Sequence, residues 1–143
     1  MTEIIHFLGQ HWLLSGGIGI LLVLLLINEL IERVMTKNQL STQEVIQMIN
    51  HQQAALVDIR DQNSFESGHI VGSIHISQDT LEEKVSSINK YKTKPLILIC
   101  AIGNLAPKLL QNLSSQGFEE VYYLAGGIVA WQKDNLPVLT RST

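Results

Sequence analysis

Residues 96–107 read Leu-Ile-Leu-Ile-Cys-Ala-Ile-Gly-Asn-Leu-Ala-Pro, and this stretch restricts the chain to few architectures. A continuous apolar run, entered through Pro95, suits a strand buried on both faces of a parallel sheet. Such a strand needs layers of other elements above and below it. Pro107 suits the first turn of a helix, where a missing N–H costs nothing. Cys100 therefore stands where a strand ends and a helix is about to begin. Loop N–H groups and the positive end of a helix dipole converge at such a point. That environment favours the thiolate, the reactive form, and lowers the thiol pKa. The same position also suits a small buried hydrophobe, since free cysteine is among the most buried residue types.

The N-terminal segment is of another kind. No ionisable group occurs in residues 12–27, Trp-Leu-Leu-Ser-Gly-Gly-Ile-Gly-Ile-Leu-Leu-Val-Leu-Leu-Leu-Ile. With Ile4, Ile5, Phe7 and Leu8 before it and Leu30 and Ile31 after it, the segment reaches the roughly 20 residues that cross a bilayer. A cleaved signal peptide would carry a basic start and a small-x-small site, and neither is present. A buried core helix would be apolar on one stripe rather than all round. Residues 1–36 are thus expected to form a single membrane anchor, meeting lipid through residues 8–31, and residues 37–143 a separate domain. No Lys or Arg precedes the span, whereas Arg33 and Lys37 follow it. The positive-inside rule then places the C-terminal domain in the cytoplasm. One cysteine allows no internal disulfide, which agrees with a reducing compartment. Ser15 and Gly19, four apart with Gly16 between them, permit close contact with a membrane protein or a second copy.

Beyond a short linker at residues 34–38, Ser41-Thr42-Gln43-Glu44 has capping-box spacing. Val45, Ile46 and Ile49 give the helix that follows one apolar face. Residues 54–60 read as a strand ending in charge, residues 61–67 as a helical turn stopped by Gly68, and residues 70–76 as a turn and a short extended piece. Residues 80–88 read as a mostly exposed helix. Residues 106–116 form a helix with Leu109, Leu110 and Leu113 on one side and Gly117 as its stop. Residues 121–124 make another strand, and residues 128–133 a last short helix. Strands alternating with helices predict an α/β layer fold with a mainly parallel sheet. Reactive groups in such sheets gather beyond the carboxyl ends of the strands, where Asp58, Arg60 and Cys100 all fall. The chain has a formal charge of −3, which gives no electrostatic footprint for nucleic acid. No Cys/His cluster has metal-ligand spacing.

Three separate stretches resemble the rhodanese-like domain family. Asp58-Ile59-Arg60, Phe65 and then Gly68-His69-Ile70-Val71-Gly72-Ser73-Ile74 resemble its N-terminal signature. Cys100 at the end of an apolar strand resembles its active loop. Gly117-Phe118 and residues 121–131, Val-Tyr-Tyr-Leu-Ala-Gly-Gly-Ile-Val-Ala-Trp, resemble its C-terminal signature. The match spans residues 39–138. With the anchor, the whole chain resembles bacterial single-pass membrane proteins of this family. The resemblance implies a five-stranded mainly parallel sheet flanked by helices and a sulfurtransferase that needs no cofactor. Cys100 would be the catalytic residue and carry sulfane sulfur as a persulfide. The amides of Ala101, Ile102, Gly103, Asn104, Leu105 and Ala106 would hold it, with no reorganisation as charge develops. The partners would be a small sulfur donor or a persulfidated protein, and a thiol acceptor. Cysteine phosphatases on a related fold use a longer loop closed by arginine, and many carry histidine where Ile99 stands, so phosphatase activity is not expected.

One departure from the family matters. Active members commonly carry arginine at the sixth loop position, where this chain has Leu105. Loss of a cation beside an anion costs on the order of 1–3 kcal/mol. Sulfur arriving as a protein or low-molecular-weight persulfide would depend less on an anion clamp. The departure supports an alternative, a catalytically weak docking module at the inner membrane, and it predicts that Leu105→Arg raises thiosulfate activity. A redox sensor acting through Cys100 oxidation is a third reading, although no resolving cysteine exists in the chain. Asp58 and Arg60 either orient the loop or form a structural ion pair. Between Gly68 and Ile70, His69 suits a fixed hydrogen bond. Gly126-Gly127 suits a tight turn that lets Trp131 reach the core. Tyr122 and Tyr123 alternate faces, one in and one out.

Overall fold

The computed structural model describes residues 12–105 and 107–140 and, within the first helix, the side chains of residues 16–30. Two compact units make up the chain, Met1–Lys37 and Asn38–Thr143.

The first unit contains helix α1, Trp12–Thr36. It extends three residues into the expected linker, because no Gly or Pro interrupts residues 28–36. Large apolar side chains from Ile18 to Leu30 are exposed along it, with Ile20 and Leu21 as free of contact as Leu26. Among the described residues no helix is long and apolar enough to cross a membrane. The expected anchor starts upstream, and its first eleven residues lie outside those described.

The second unit is an α/β domain. Its elements in order are β1 (Gln39–Leu40), α2 (Thr42–Gln52), β2 (Ala55–Asp58), α3 (Gln62–Ser67), β3 (His69–Ile70), β4 (Ile74–His75), a 3-10 turn (Gln78–Thr80), α4 (Leu81–Ile88), β5 (Leu96–Ile99), α5 (Pro107–Ser115), β6 (Val121–Leu124), α6 (Gly127–Lys133) and β7 (Val138–Leu139). The main sheet has strand order β1-β6-β5-β2-β4, and every pairing in it is parallel. A separate antiparallel ribbon joins β3 to β7.

Burial explains why β5 is central. Leu96, Ile97, Leu98 and Ile99 are all fully buried. Leu96 and Leu98 join one apolar layer with Leu81, Val85, Ile88, Leu109 and Leu113. Ile97 and Ile99 join the other with Val45, Ile128 and Trp131. A strand with period-2 alternation contributes to two cores only when helices cover both faces of the sheet.

Local signals act as the sequence predicts at several ends. Ser41 and Glu44 form a reciprocal capping box at the start of α2. Asp61 caps α3 through the Ser64 amide, and Gly68 follows its last residue. Helix α4 is mostly exposed as expected, with Leu81, Val85 and Ile88 on its one buried face. One expectation needs correction. Tyr122 does not point out to solvent: it packs against one apolar layer while Tyr123 sits in the other, because both faces of β6 are covered.

Candidate active site

Cys100 follows the last residue of β5 and is half-buried. Its position is braced from two sides. The Ile59 amide donates to the Ile99 carbonyl at 2.9 Å, tying β2 to β5 just below the cysteine. From above, the Ile128 amide donates to the Cys100 carbonyl at 2.9 Å and the Val129 amide to the Ala101 carbonyl at 3.4 Å. The N-terminal turn of α6 thus grips the backbone on which the thiol is mounted.

The loop then curls back over the sulfur. Gly103 has φ +74°, a left-handed conformation that residues with a Cβ rarely adopt. Its amide donates to Cys100 Sγ at 3.0 Å. A Cβ at Gly103 would lie 2.9 Å from Gly126 Cα and 3.0 Å from Gly127 N, and closer still to Gly126 N. At Gly127 (φ +58°) a Cβ would collide with the Cys100 carbonyl oxygen and with Ala101. The two backbones approach so closely that only glycine fits at either position. The Gly126-Gly127 turn therefore locks the cysteine loop as well as starting α6, on which Trp131 is buried.

Burial pushes the Cys100 thiol up, against the amides of Gly103, Ile102 and Asn104, which favour the thiolate. The expected lowering is thus corrected. The loop donors are in place, but desolvation outweighs them. The sulfur is nonetheless open to small molecules. It lines a cavity of about 390 Å³ with Arg60, Asp61, Ser64, Ser77, Asp79 and Ile102 among the walls.

Of the other loop residues, Ala101, Ile102 and Asn104 are exposed, and Ile102 is 67% accessible. Leu105 is 7% accessible and belongs to the apolar layer beneath the loop. It is not among the residues that line the cavity beside Cys100. Its side chain is held in the core, so an arginine there would have to leave that layer to reach the site. Ala106 lies outside the described residues.

Asp58 is fully buried, and its carboxylate accepts from Arg60 Nε at 2.9 Å and from Arg60 Nη2 at 2.7 Å. Arg60 Nη2 also donates to the Gly68 carbonyl at 2.7 Å. The pair fixes the turn after β2 to the end of α3. Behind it, the Phe65 ring stacks on His69 and on His75, with centroids 3.9 and 4.6 Å away. His69 Nδ1 bonds the Phe65 carbonyl at 2.9 Å, the fixed role expected of it. His75 Nε2 bonds the Arg60 carbonyl at 2.8 Å, a partner the sequence did not reveal. Sequence reasoning also missed Ser77 and Asp79 in the cavity wall. The β2–β4 pairing brings them there, and a two-residue strand leaves no periodic signal.

A parallel sheet whose central strand delivers one cysteine into a loop of inward-turned amides defines a cysteine-loop α/β domain. The model of the rhodanese-like domain matches residues 41–134, and the chain belongs to that family. It is 31% identical over 140 residues to a protein of Escherichia coli K12 named YibN, itself uncharacterized, which covers 97% of this chain and 98% of that one. It is 35% identical over 96 residues to the thiosulfate sulfurtransferase GlpE of Shewanella oneidensis, covering 67% of this chain and 93% of the relative. Among solved structures, a rhodanese-related protein from Thermoplasma volcanium superposes with a TM-score of 0.62 at 25% identity, over 71% of this chain and 97% of that one. The domain is thus related to thiosulfate sulfurtransferases.

Proposed function

We propose that this protein is a membrane-tethered sulfurtransferase that carries sulfane sulfur as a persulfide on Cys100. The observation that carries the reading is the Gly103 amide aimed at Cys100 Sγ at 3.0 Å, on a residue that lines a solvent-connected cavity. The Cys100 thiolate attacks the outer sulfur of a donor, the donor's sulfur–sulfur bond breaks, and the inner fragment leaves with the electron pair. The outer sulfur stays on Cys100 until a thiol acceptor takes it. A persulfide extends the sulfur toward the loop amides, where fixed donors stabilise its charge. Tethering is supported by the apolar residues 12–27, and the proposed cytoplasmic orientation at a bacterial inner membrane by Arg33 and Lys37 after them.

The test is intact-protein mass spectrometry of the full chain after incubation with thiosulfate or with a small persulfide. A gain of one sulfur atom, lost in Cys100→Ser, is the expected result. Protease access in inverted membrane vesicles reads the orientation. A second reading, a weak docking module, draws support from the burial that raises the thiol and from a sixth loop residue that is apolar and buried in the core. No sulfur gain with any donor selects that reading instead.

A further inference from the structure

The walls of the Cys100 cavity carry an uneven charge. Among the described residues Arg60 is its one cationic lining residue, and that side chain is 9% accessible and paired with the buried Asp58 carboxylate. Its charge is cancelled where it stands. Asp61 and Asp79, by contrast, line the same cavity and are exposed. The Ser64 hydroxyl and amide donate to Asp61, which holds its carboxyl below the usual range and keeps it ionised at neutral pH. The described loop residues 101–105 bring no cation. A dianion such as thiosulfate would enter against two negative charges and meet no free positive one among the described residues.

We infer that Asp61 and Asp79 set the donor specificity of this site, disfavouring anionic donors and favouring a small persulfide that carries a protonated amine. The inference rests on the proposed sulfur chemistry for its physiological meaning, but the charge selection belongs to the cavity itself. In the transfer step, Cys100–S⁻ and R–S–SH give Cys100–S–SH and R–S⁻. The proton on the outer sulfur moves with it, and R–S⁻ takes a proton from water. No external oxidant or reductant is required. The ammonium of R would sit among the carboxylates of Asp61 and Asp79, which leaves the sulfur end directed at Cys100.

Two arms separate the charge selection from the sulfur chemistry. In the first, the full chain in neutral detergent is labelled at Cys100 with aminoethyl and with sulfonatoethyl methanethiosulfonate, each rate normalised to a free thiol. The ratio of the two rates cancels the intrinsic reactivity of the sulfur. The parent should prefer the cationic reagent, and D61N/D79N should reduce that preference about fivefold at low ionic strength, as should 0.5 M salt in the parent. Asparagine caps a helix as well as aspartate does, and D79N alone, at an exposed position, gives a second reading. In the second arm, cysteamine persulfide and mercaptoacetate persulfide are compared for sulfur loading by mass, with cysteamine persulfide expected to load faster. A labelling ratio unchanged in both variants overturns the inference. A ratio that responds while neither persulfide loads sulfur supports the charge selection and rejects the sulfurtransferase reading instead.

Discussion

Replacing Gly103 with alanine should unseat the loop that holds the thiol. A non-glycine residue at φ +74° carries about 1–2 kcal/mol of backbone strain. The added methyl would also meet backbone rather than a yielding side chain, at Gly126 and Gly127. Overpacking against an immobile neighbour costs about 1–3 kcal/mol. Together they predict a loss of about 2–5 kcal/mol, which denaturant titration of the full chain in detergent measures. The loop would relieve the clash by moving away from α6, which withdraws the Gly103 amide from Cys100 Sγ. Loss of one such hydrogen bond, about 1 kcal/mol, corresponds to about a fivefold smaller thiolate fraction. The rate of iodoacetamide alkylation at pH 7 should fall by that factor in the variant, measured under conditions where it is still folded. A Gly103→Ala protein within 0.5 kcal/mol of the parent and alkylated at the parent's rate would refute the reasoning, since the strain, the clash and the hydrogen bond would all have been misjudged.

Burial raises the Cys100 thiol in the folded state, so its contribution to stability is complete below the unfolded thiol's pKa and is lost as pH rises through the folded one; denaturant midpoints of the parent should drop more on the alkaline side than those of Cys100→Ser. The same shift predicts that alkylation keeps accelerating above the pH at which an ordinary thiol levels off, and a plateau at or below that pH would contradict it. Leu105→Arg should destabilise by about 3 kcal/mol or more by forcing a cation toward an apolar layer, with no rise in thiosulfate-to-cyanide activity; a stable, faster variant would show that the side chain can swing into the site. Asp58→Ala leaves Arg60 buried without its partner and should cost about 3–5 kcal/mol by denaturant titration, whereas a loss under 1 kcal/mol would mean that the pair is dispensable.

The order of strands and helices, the capping box at Ser41 and the position of Cys100 were legible because each rests on local chemistry. An apolar run, a capping spacing or a proline acts on its own few residues. What escaped depends on neighbours distant in sequence. Leu105 belongs to the core because the loop reverses at Gly103, and that reversal is enforced by Gly126 and Gly127 more than twenty positions later. Tyr122 is covered because α2 and α6 lie over its face of the sheet, which no pattern within β6 announces. Strands β1 and β7 have two residues each, too few for any period to show. The elevated thiol is the outcome of a contest between desolvation and amide donors, and a sequence displays the donors' spacing without the depth of the cavity.

The grip of α6 on the cysteine loop has a bearing on biosynthesis. The Cys100 and Ala101 carbonyls accept from Ile128 and Val129, so a ribosome-bound chain that has just released Cys100 lacks the segment that shapes its surroundings. During translation the sulfur should behave like that of any unstructured peptide, acquiring its final environment only after the closing stretch of the domain has left the exit tunnel. Chains cut short before Gly126 would then carry an ordinary thiol without the loop geometry that holds it.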